Sequence, residues 1–201
     1  LHSGATYHVD GRGPLPAPVY LLGEGPGDAE DEAGLPFVGK SGQFLQDCID
    51  KAGLHDLVRI GNVVRCRPPR NRKPTAEEAG ACSVWLNLEL SLAQPKVIVC
   101  LGQTAIEAFL PNRKLLRGTR TGDYVGHSFA IIVGNEGFCC SFYPDEGLLR
   151  LIPEQTVVIG CYHPAARKAA QRNKVPQVLE MVARLVGVTV PPKPQVDYKE
   201  D

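Results

Sequence analysis

Four short apolar runs constrain this chain more than any other feature. Val19–Gly23 (VYLLG), Val58–Val64 (VRIGNVV), Lys96–Leu101 (KVIVCL) and Thr156–Cys161 (TVVIGC) are too short for helices and end in glycine or polar residues. Such runs are buried strands. Between them lie segments of helical spacing. Ser41–Ala52 places Phe44, Leu45, Cys48 and Ile49 on one face, with Ser41 as its cap and Gly53 as its stop. Thr75-Ala76-Glu77-Glu78 is a capping box that opens a helix running to about Ala93. Gly102 turns into a helix over Thr104–Leu110, and a last helix covers Val175–Leu185. Apolar strands alternating with amphipathic helices predict a three-layer α/β/α sandwich around a central, mainly parallel four-stranded sheet. Residues 112–150 fit this pattern least well, with a further strand expected at Phe129–Val133 and a loop over Gly134–Gly147.

The 22 basic and 22 acidic residues cancel, and 43% of the 201 residues are hydrophobic. That excludes a disordered, highly charged tail protein, and the length suits one domain over residues 1–190 with a Pro-rich, acidic tail at 191–201. No apolar run approaches the roughly 18 residues of a membrane helix, and no signal peptide is visible, so a cytoplasmic protein is expected. The chain begins at Leu1 and its only methionine is Met181, so further residues are expected ahead of Leu1.

Seven cysteines, an odd number without a secretory signal, argue against a disulfide framework. Cys48, Cys100 and Cys161 sit in apolar or small-residue runs and suit burial as small hydrophobes. The adjacent Cys139–Cys140 makes a poor chelate. Cys66 and Cys82 lie in polar surroundings sixteen residues apart and are the pair that could hold a metal.

In parallel sheets, ligands sit at the carboxyl ends of the strands. The chemically notable residues fall there: Gly23–Gly27 after the first strand, Asn62–Cys66 at the end of the second, and His163 after the last. The glycine loop does not suit a nucleoside triphosphate, because Glu24, Asp28, Glu30 and Asp31 would repel phosphate and no P-loop Lys-Ser/Thr follows.

Four ordered blocks carry a resemblance. Gly23-Glu24-Gly25-Pro26-Gly27-Asp28-Ala29-Glu30-Asp31 with Gly34-Leu35-Pro36-Phe37-Val38-Gly39 is the first, and Asn62-Val63-Val64-Arg65-Cys66-Arg67-Pro68-Pro69 with Asn71–Thr75 and Cys82 the second. Pro95–Val99 with Leu101-Gly102 and Thr104-Ala105 is the third, and Tyr162-His163-Pro164-Ala165-Ala166 the fourth. Together they resemble the uracil-DNA glycosylase superfamily, and specifically its family 4. The resemblance covers roughly residues 18–110 and 156–185.

The resemblance implies base-excision repair: a uracil flipped from DNA into a pocket and cut from its sugar by a mainly dissociative hydrolysis. Phe37 would stack on the base, and Asn62 would read the N3–H and O4 edge that distinguishes uracil from cytosine. His163 would hydrogen-bond O2 as negative charge develops on the leaving base. Family 1 enzymes place a water-positioning aspartate where this chain has Gly25, so backbone groups near Glu24–Gly27 would hold the water. Glu30 would screen out the 5-methyl of thymine. For Glu24 a catalytic role and support of the loop both stay open.

The resemblance also implies a [4Fe–4S] cluster, with Cys66 and Cys82 as two ligands and the remaining two in a CxxC upstream of Leu1. The alternative is a relative without the cluster, leaving two free thiols.

Arg59, Arg65, Arg67, Arg70, Arg72 and Lys73 form a basic, proline-broken stretch expected to meet DNA phosphates. Arg113, Lys114, Arg117 and Arg120 form a second patch, and Arg167, Lys168, Arg172 and Lys174 a third. The superfamily's apolar wedge behind the His–Pro motif is replaced here by Arg167, with Ala166 before it, and that arginine could stack in its place. The expected partner is uracil-containing DNA, single- or double-stranded, bound by a monomer in a bacterial, archaeal or phage-type setting. Two rivals differ in class. A covalently trapping relative would carry a histidine in the basic loop, which Arg65–Pro74 lacks. A non-catalytic DNA-binding module would keep the fold alone.

Overall fold

The computed structural model describes residues 4–109 and 156–189. The strand expected at Phe129–Val133, the loop at 134–147, the patch Arg113–Arg120, Cys139–Cys140 and the tail at 191–201 lie outside the described residues.

Four parallel strands form one sheet in the order β2-β1-β3-β4: β1 (Val19–Gly23), β2 (Val58–Asn62), β3 (Val97–Leu101) and β4 (Val157–Cys161). Alternate side chains feed two separate cores, as the two-residue period of a strand requires. Val19, Leu21, Val97, Val99 and Ile159 pack under α2 (Lys40–Lys51) and α6 (Lys174–Leu185). Tyr20, Leu22, Ile98, Cys100 and Val158 face α3 (Ala76–Ala93) and α4 (Gln103–Phe109). Both faces being covered explains why the strands are unbroken apolar runs.

Local chemistry sets the element ends. Thr75 Oγ1 accepts the Glu78 amide at 3.2 Å while Glu78 accepts the Thr75 amide at 2.8 Å, the capping box expected from sequence. Gly53, at φ +69°, stops α2 as expected. Three boundaries differ. The acidic cluster after the glycine loop is itself a short helix, α1 (Asp28–Ala33), closed by the left-handed Gly34. α2 is capped by Gly39, so Ser41 lies inside its first turn. β2 ends at Asn62, and Val63 and Val64 leave the sheet although both are buried. A short helix, α5 (Ala169–Arg172), precedes α6.

The N-terminal arm runs antiparallel to β2. Arg12 and Ile60 exchange backbone hydrogen bonds of 2.9 and 2.8 Å, and the Val9 amide donates to the Arg65 carbonyl at 2.8 Å. Asp31 holds the arm's start by accepting the Thr6 and Tyr7 amides at 2.9 and 3.1 Å. Burial raises the Asp31 pKa, but those amide bonds prevail and hold it below its ordinary value.

Beneath the arm lies an ionic cluster that corrects the expected DNA contacts. Arg59 and Arg65 are buried, and Glu89 on α3 binds both, at 2.6 and 2.8 Å. Arg59 also donates to the Gly13 and Gly11 carbonyls, while Arg65 pairs with Asp10 and lies over the Trp85 ring at 5.5 Å. These two arginines pin the arm to the sheet and are not open to phosphate.

Candidate active site

The carboxyl ends of the strands open into a cavity of about 400 Å³. Its lining includes Glu24, Gly25, Glu30, Phe37, Asn62 and His163, six residues named from sequence and separated by up to 139 positions. Ser41, Asn71 and Gln103 also line it, and the sequence reading gave them no role in the site.

Gly23 and Asn62 are the paired last residues of β1 and β2. A Cβ on Gly23 would collide with the Asn62 side-chain oxygen Oδ1 and lie 2.5 Å from Phe37 Cζ. Glycine is therefore what lets the amide and the ring approach each other. Asn62 is 7% exposed, and its Oδ1 is buried with no hydrogen-bond partner among the described residues. A buried acceptor without a partner is costly, which is what an acceptor kept for a ligand would show.

Phe37 takes a left-handed backbone, φ +54°, unusual for a bulky residue and characteristic of functional turns. Two features hold it. Gly42 on α2 sits against its carbonyl so closely that any Cβ there would collide. Glu30 accepts the Val38 and Gly39 amides at 2.9 and 2.8 Å and the Gly27 amide at 3.1 Å, tying the two loops of the first block together. Gly42, a glycine inside a helical stretch, was a legible signal for this close approach.

His163 faces Phe37 across the cavity, with near-parallel rings 6.0 Å apart. Its Nδ1 accepts the Ala165 amide at 3.1 Å. That contact requires an unprotonated Nδ1, so the neutral ring carries its hydrogen on Nε2. Burial lowers the His163 pKa, while the charges of Glu24 and Glu30 pull the other way. The result is a neutral imidazole presenting an Nε2–H donor. Glu24 is held by the hydroxyl of Thr104 on α4, a residue the sequence reading did not assign to the site. Gly25 lies so near Val64 that an added Cβ would stand 2.7 Å from Cγ2.

The rim is basic but largely paired. Arg67 pairs with Asp28, Arg72 with Glu78 at 2.6 Å, and Lys73 with Glu107 at 2.8 Å. The bond from Arg72 draws the Glu78 pKa down to about 2. Arg70, Arg167 and Lys168 are exposed. A second cleft of about 610 Å³ shares Ser41 and Ala165 with the cavity and contains Lys40 and Arg172.

Cys66 is buried behind the basic loop. Burial, and then the nearby Cys82, push its thiol pKa up. Cys66 and Cys82 are thus neighbours, and both are free thiols. Among the described residues, no group of three or more His, Cys, Asp or Glu side chains could hold a metal ion.

The family model for the uracil DNA glycosylase superfamily matches residues 11–185. The chain belongs to that superfamily. It is 34% identical over 186 residues to a type-4 uracil-DNA glycosylase of Pyrobaculum aerophilum, covering 90% of this chain and 84% of the relative. It is 43% identical over 116 residues to a type-4 uracil-DNA glycosylase of Thermotoga maritima, spanning 57% of this chain and 60% of that relative. A type-5 uracil-DNA glycosylase of Thermus thermophilus is 40% identical over 118 residues, about half of each chain. In this superfamily member the shared fold places the four sequence blocks around one cavity.

Proposed function

We propose that this protein is a uracil-DNA glycosylase of the type-4 kind, hydrolysing the bond between uracil and deoxyribose in single- or double-stranded DNA. The observation that carries the proposal is the unpartnered Asn62 Oδ1, buried in a cavity whose other walls are Phe37 and His163. Its natural partner is a donor on a planar base. Uracil N3–H meets Oδ1, and the Asn62 amide donates to O4. Cytosine would present a lone pair and an amino group instead, leaving both Asn62 groups unsatisfied.

Each residue then has a physical role. The Phe37 ring stacks on the base, a contact worth about 1–3 kcal/mol. As the bond from C1′ to N1 breaks, its electron pair passes to the uracil and spreads to O2, where the Nε2–H of His163 donates. That donor meets charge present mainly in the transition state, so it lowers the barrier rather than tightening ground-state binding. The backbone of the Glu24–Gly27 loop holds the water that adds to C1′, in place of an aspartate, and the proton that water sheds neutralises the uracil anion. Glu30 fixes the Phe37 turn and borders the cavity where a 5-methyl group would fall. Arg167 and Lys168, together with the cleft at Lys40 and Arg172, bind the flanking phosphates.

Cys66 and Cys82 would supply two thiolates to a [4Fe–4S] cluster. Such a cluster ties chain segments together and takes no part in the hydrolysis. The antiparallel arm supports this reading, because it leads the chain back past Arg65 toward Cys66.

The test is uracil release from a labelled oligonucleotide followed by alkaline strand scission. Asn62→Ala and His163→Ala should each lose at least about 100-fold in excision rate, the scale of one oriented transition-state donor. Near-normal rates in both would refute the assignment. Tight uracil-DNA binding by the wild type without an abasic product would favour the binding-module reading.

A further inference from the structure

We infer that Arg70 is the residue this fold inserts into the base stack beside the extruded nucleotide, while Arg67, Arg72 and Lys73 anchor the loop that presents it. The inference rests on the glycosylase reading of the cavity. In sequence the four cations look equivalent, but the structure separates them. Three are committed to carboxylates on three different helices: Arg67 to Asp28 of α1, Arg72 to Glu78 of α3 and Lys73 to Glu107 of α4. Arg67 also donates to Asn71 Oδ1 at 2.7 Å, closing the base of the turn. Arg70 alone in this loop is exposed with no hydrogen-bond or ion-pair partner among the described residues.

The backbone shows the same division. Arg70 and Asn71 are consecutive left-handed residues, each at φ +55°, in a tight turn that begins at Pro69. The Asn71 and Arg72 amides close it by donating to the Pro68 and Pro69 carbonyls at 3.0 and 3.2 Å. Two adjacent non-glycine residues in this conformation persist only where the surroundings enforce it. A flexible cation reaching for phosphate needs no such rigidity, whereas an inserted side chain does. The next residue, Asn71, lines the cavity, so the exposed Arg70 is one residue from its wall. The stack loses a base at that point when the nucleotide turns inward. A guanidinium is planar and stacks on base faces, which an ammonium does not.

The test compares uracil excision from duplex and single-stranded oligonucleotides by wild type, Arg70→Ala, Arg70→Gly and Arg70→Lys, with 2-aminopurine beside the uracil reporting unstacking. The duplex-to-single-strand excision ratio should fall about 10- to 100-fold in all three variants, as expected for loss of one stacking contact. The wild-type 2-aminopurine signal should shrink in parallel. Arg70→Gly, which relieves the left-handed backbone, should melt no lower than wild type, separating loss of function from misfolding. Glu107→Gln, which frees Lys73, should lower duplex excision by loosening the loop. A ratio restored by Arg70→Lys would show a phosphate contact and overturn the insertion. Higher duplex excision in Glu107→Gln would overturn the anchoring role. Wild type that cuts neither substrate would sink the glycosylase reading, and the fluorescence signal would still decide the insertion.

Discussion

Gly23→Ala tests the pocket without replacing any side chain proposed to meet the base. The new methyl would lie 2.5 Å from Phe37 Cζ and 2.8 Å from Cε2, and against the Asn62 amide. Ordinary carbon contacts are about 3.5–4.0 Å, so the ring must withdraw by about 1 Å. Neither wall yields easily. Asn62 is fixed by its pairing with Gly23, and the Phe37 turn is held by Glu30 and by the close backbone of Gly42. Overpacking of this kind costs about 1–3 kcal/mol, and in a chain of this size each kcal/mol lowers Tm by about 2–4 °C. Displacing groups that position a reacting base by about 1 Å costs about 100-fold in rate. Gly23→Ala should therefore cut uracil excision about 100-fold while the protein still folds. Single-turnover excision and a thermal melt give both numbers. The control is Gly80→Ala in α3, where the added methyl meets nothing within 4 Å. It should keep full activity and gain about 0.5–1 kcal/mol from helix propensity. Wild-type excision by Gly23→Ala would refute the tight Asn62–Phe37 geometry.

Three other perturbations probe separate parts of the molecule. Glu89→Ala strips the shared partner from buried Arg59 and Arg65 and should cost about 3–5 kcal/mol in urea unfolding; a loss below 1 kcal/mol would show that the arm, not the carboxylate, holds those arginines. Burial depresses the His163 pKa below 6.5, so the unfolded chain takes up that proton more readily. The stability tied to neutral His163 is thus intact above pH 6.5 and lost as pH falls through the lower folded-state value, and Tm should drop more between pH 7 and 5 for wild type than for His163→Gln. Parallel melting curves would contradict this. Cys66→Ser or Cys82→Ser in the full-length protein, purified without oxygen, should lower iron content and visible absorbance; iron-free wild type would remove the cluster while leaving the glycosylase proposal intact.

The strands and the two long early helices were legible because their signals are local: apolar runs ending in glycine, and a Thr75–Glu78 box three residues apart. α1 was not, since DAEDEA has no apolar stripe and buries only Asp31. Ser41 looked like a cap, but Glu30 fixes the Val38 and Gly39 amides and starts the helix two residues sooner. The basic stretch misled most. Arg59 and Arg65 share a sign with Arg70, yet their fate is set by Glu89, 30 and 24 residues away, which no charge pattern within the stretch reveals. For the cavity, the residue types were evident from the four blocks. What sequence could not show was the unpartnered oxygen of Asn62, the tautomer of His163 and the glycines that bring the walls together.

The strand order has a consequence for synthesis. Among the described residues β4, which leads into His163, pairs only with β3, and Val157 meets Val97 across a long stretch of chain. Every other described wall residue of the cavity is translated by Gln103, apart from Ala165. A ribosome therefore releases the half carrying Asn62 and Phe37 well before His163, and long-range pairing of this kind is slow to close. On the roles proposed above, a nascent or truncated chain ending before β4 would carry Asn62 and Phe37 without His163, and should excise no uracil until the last strand has docked.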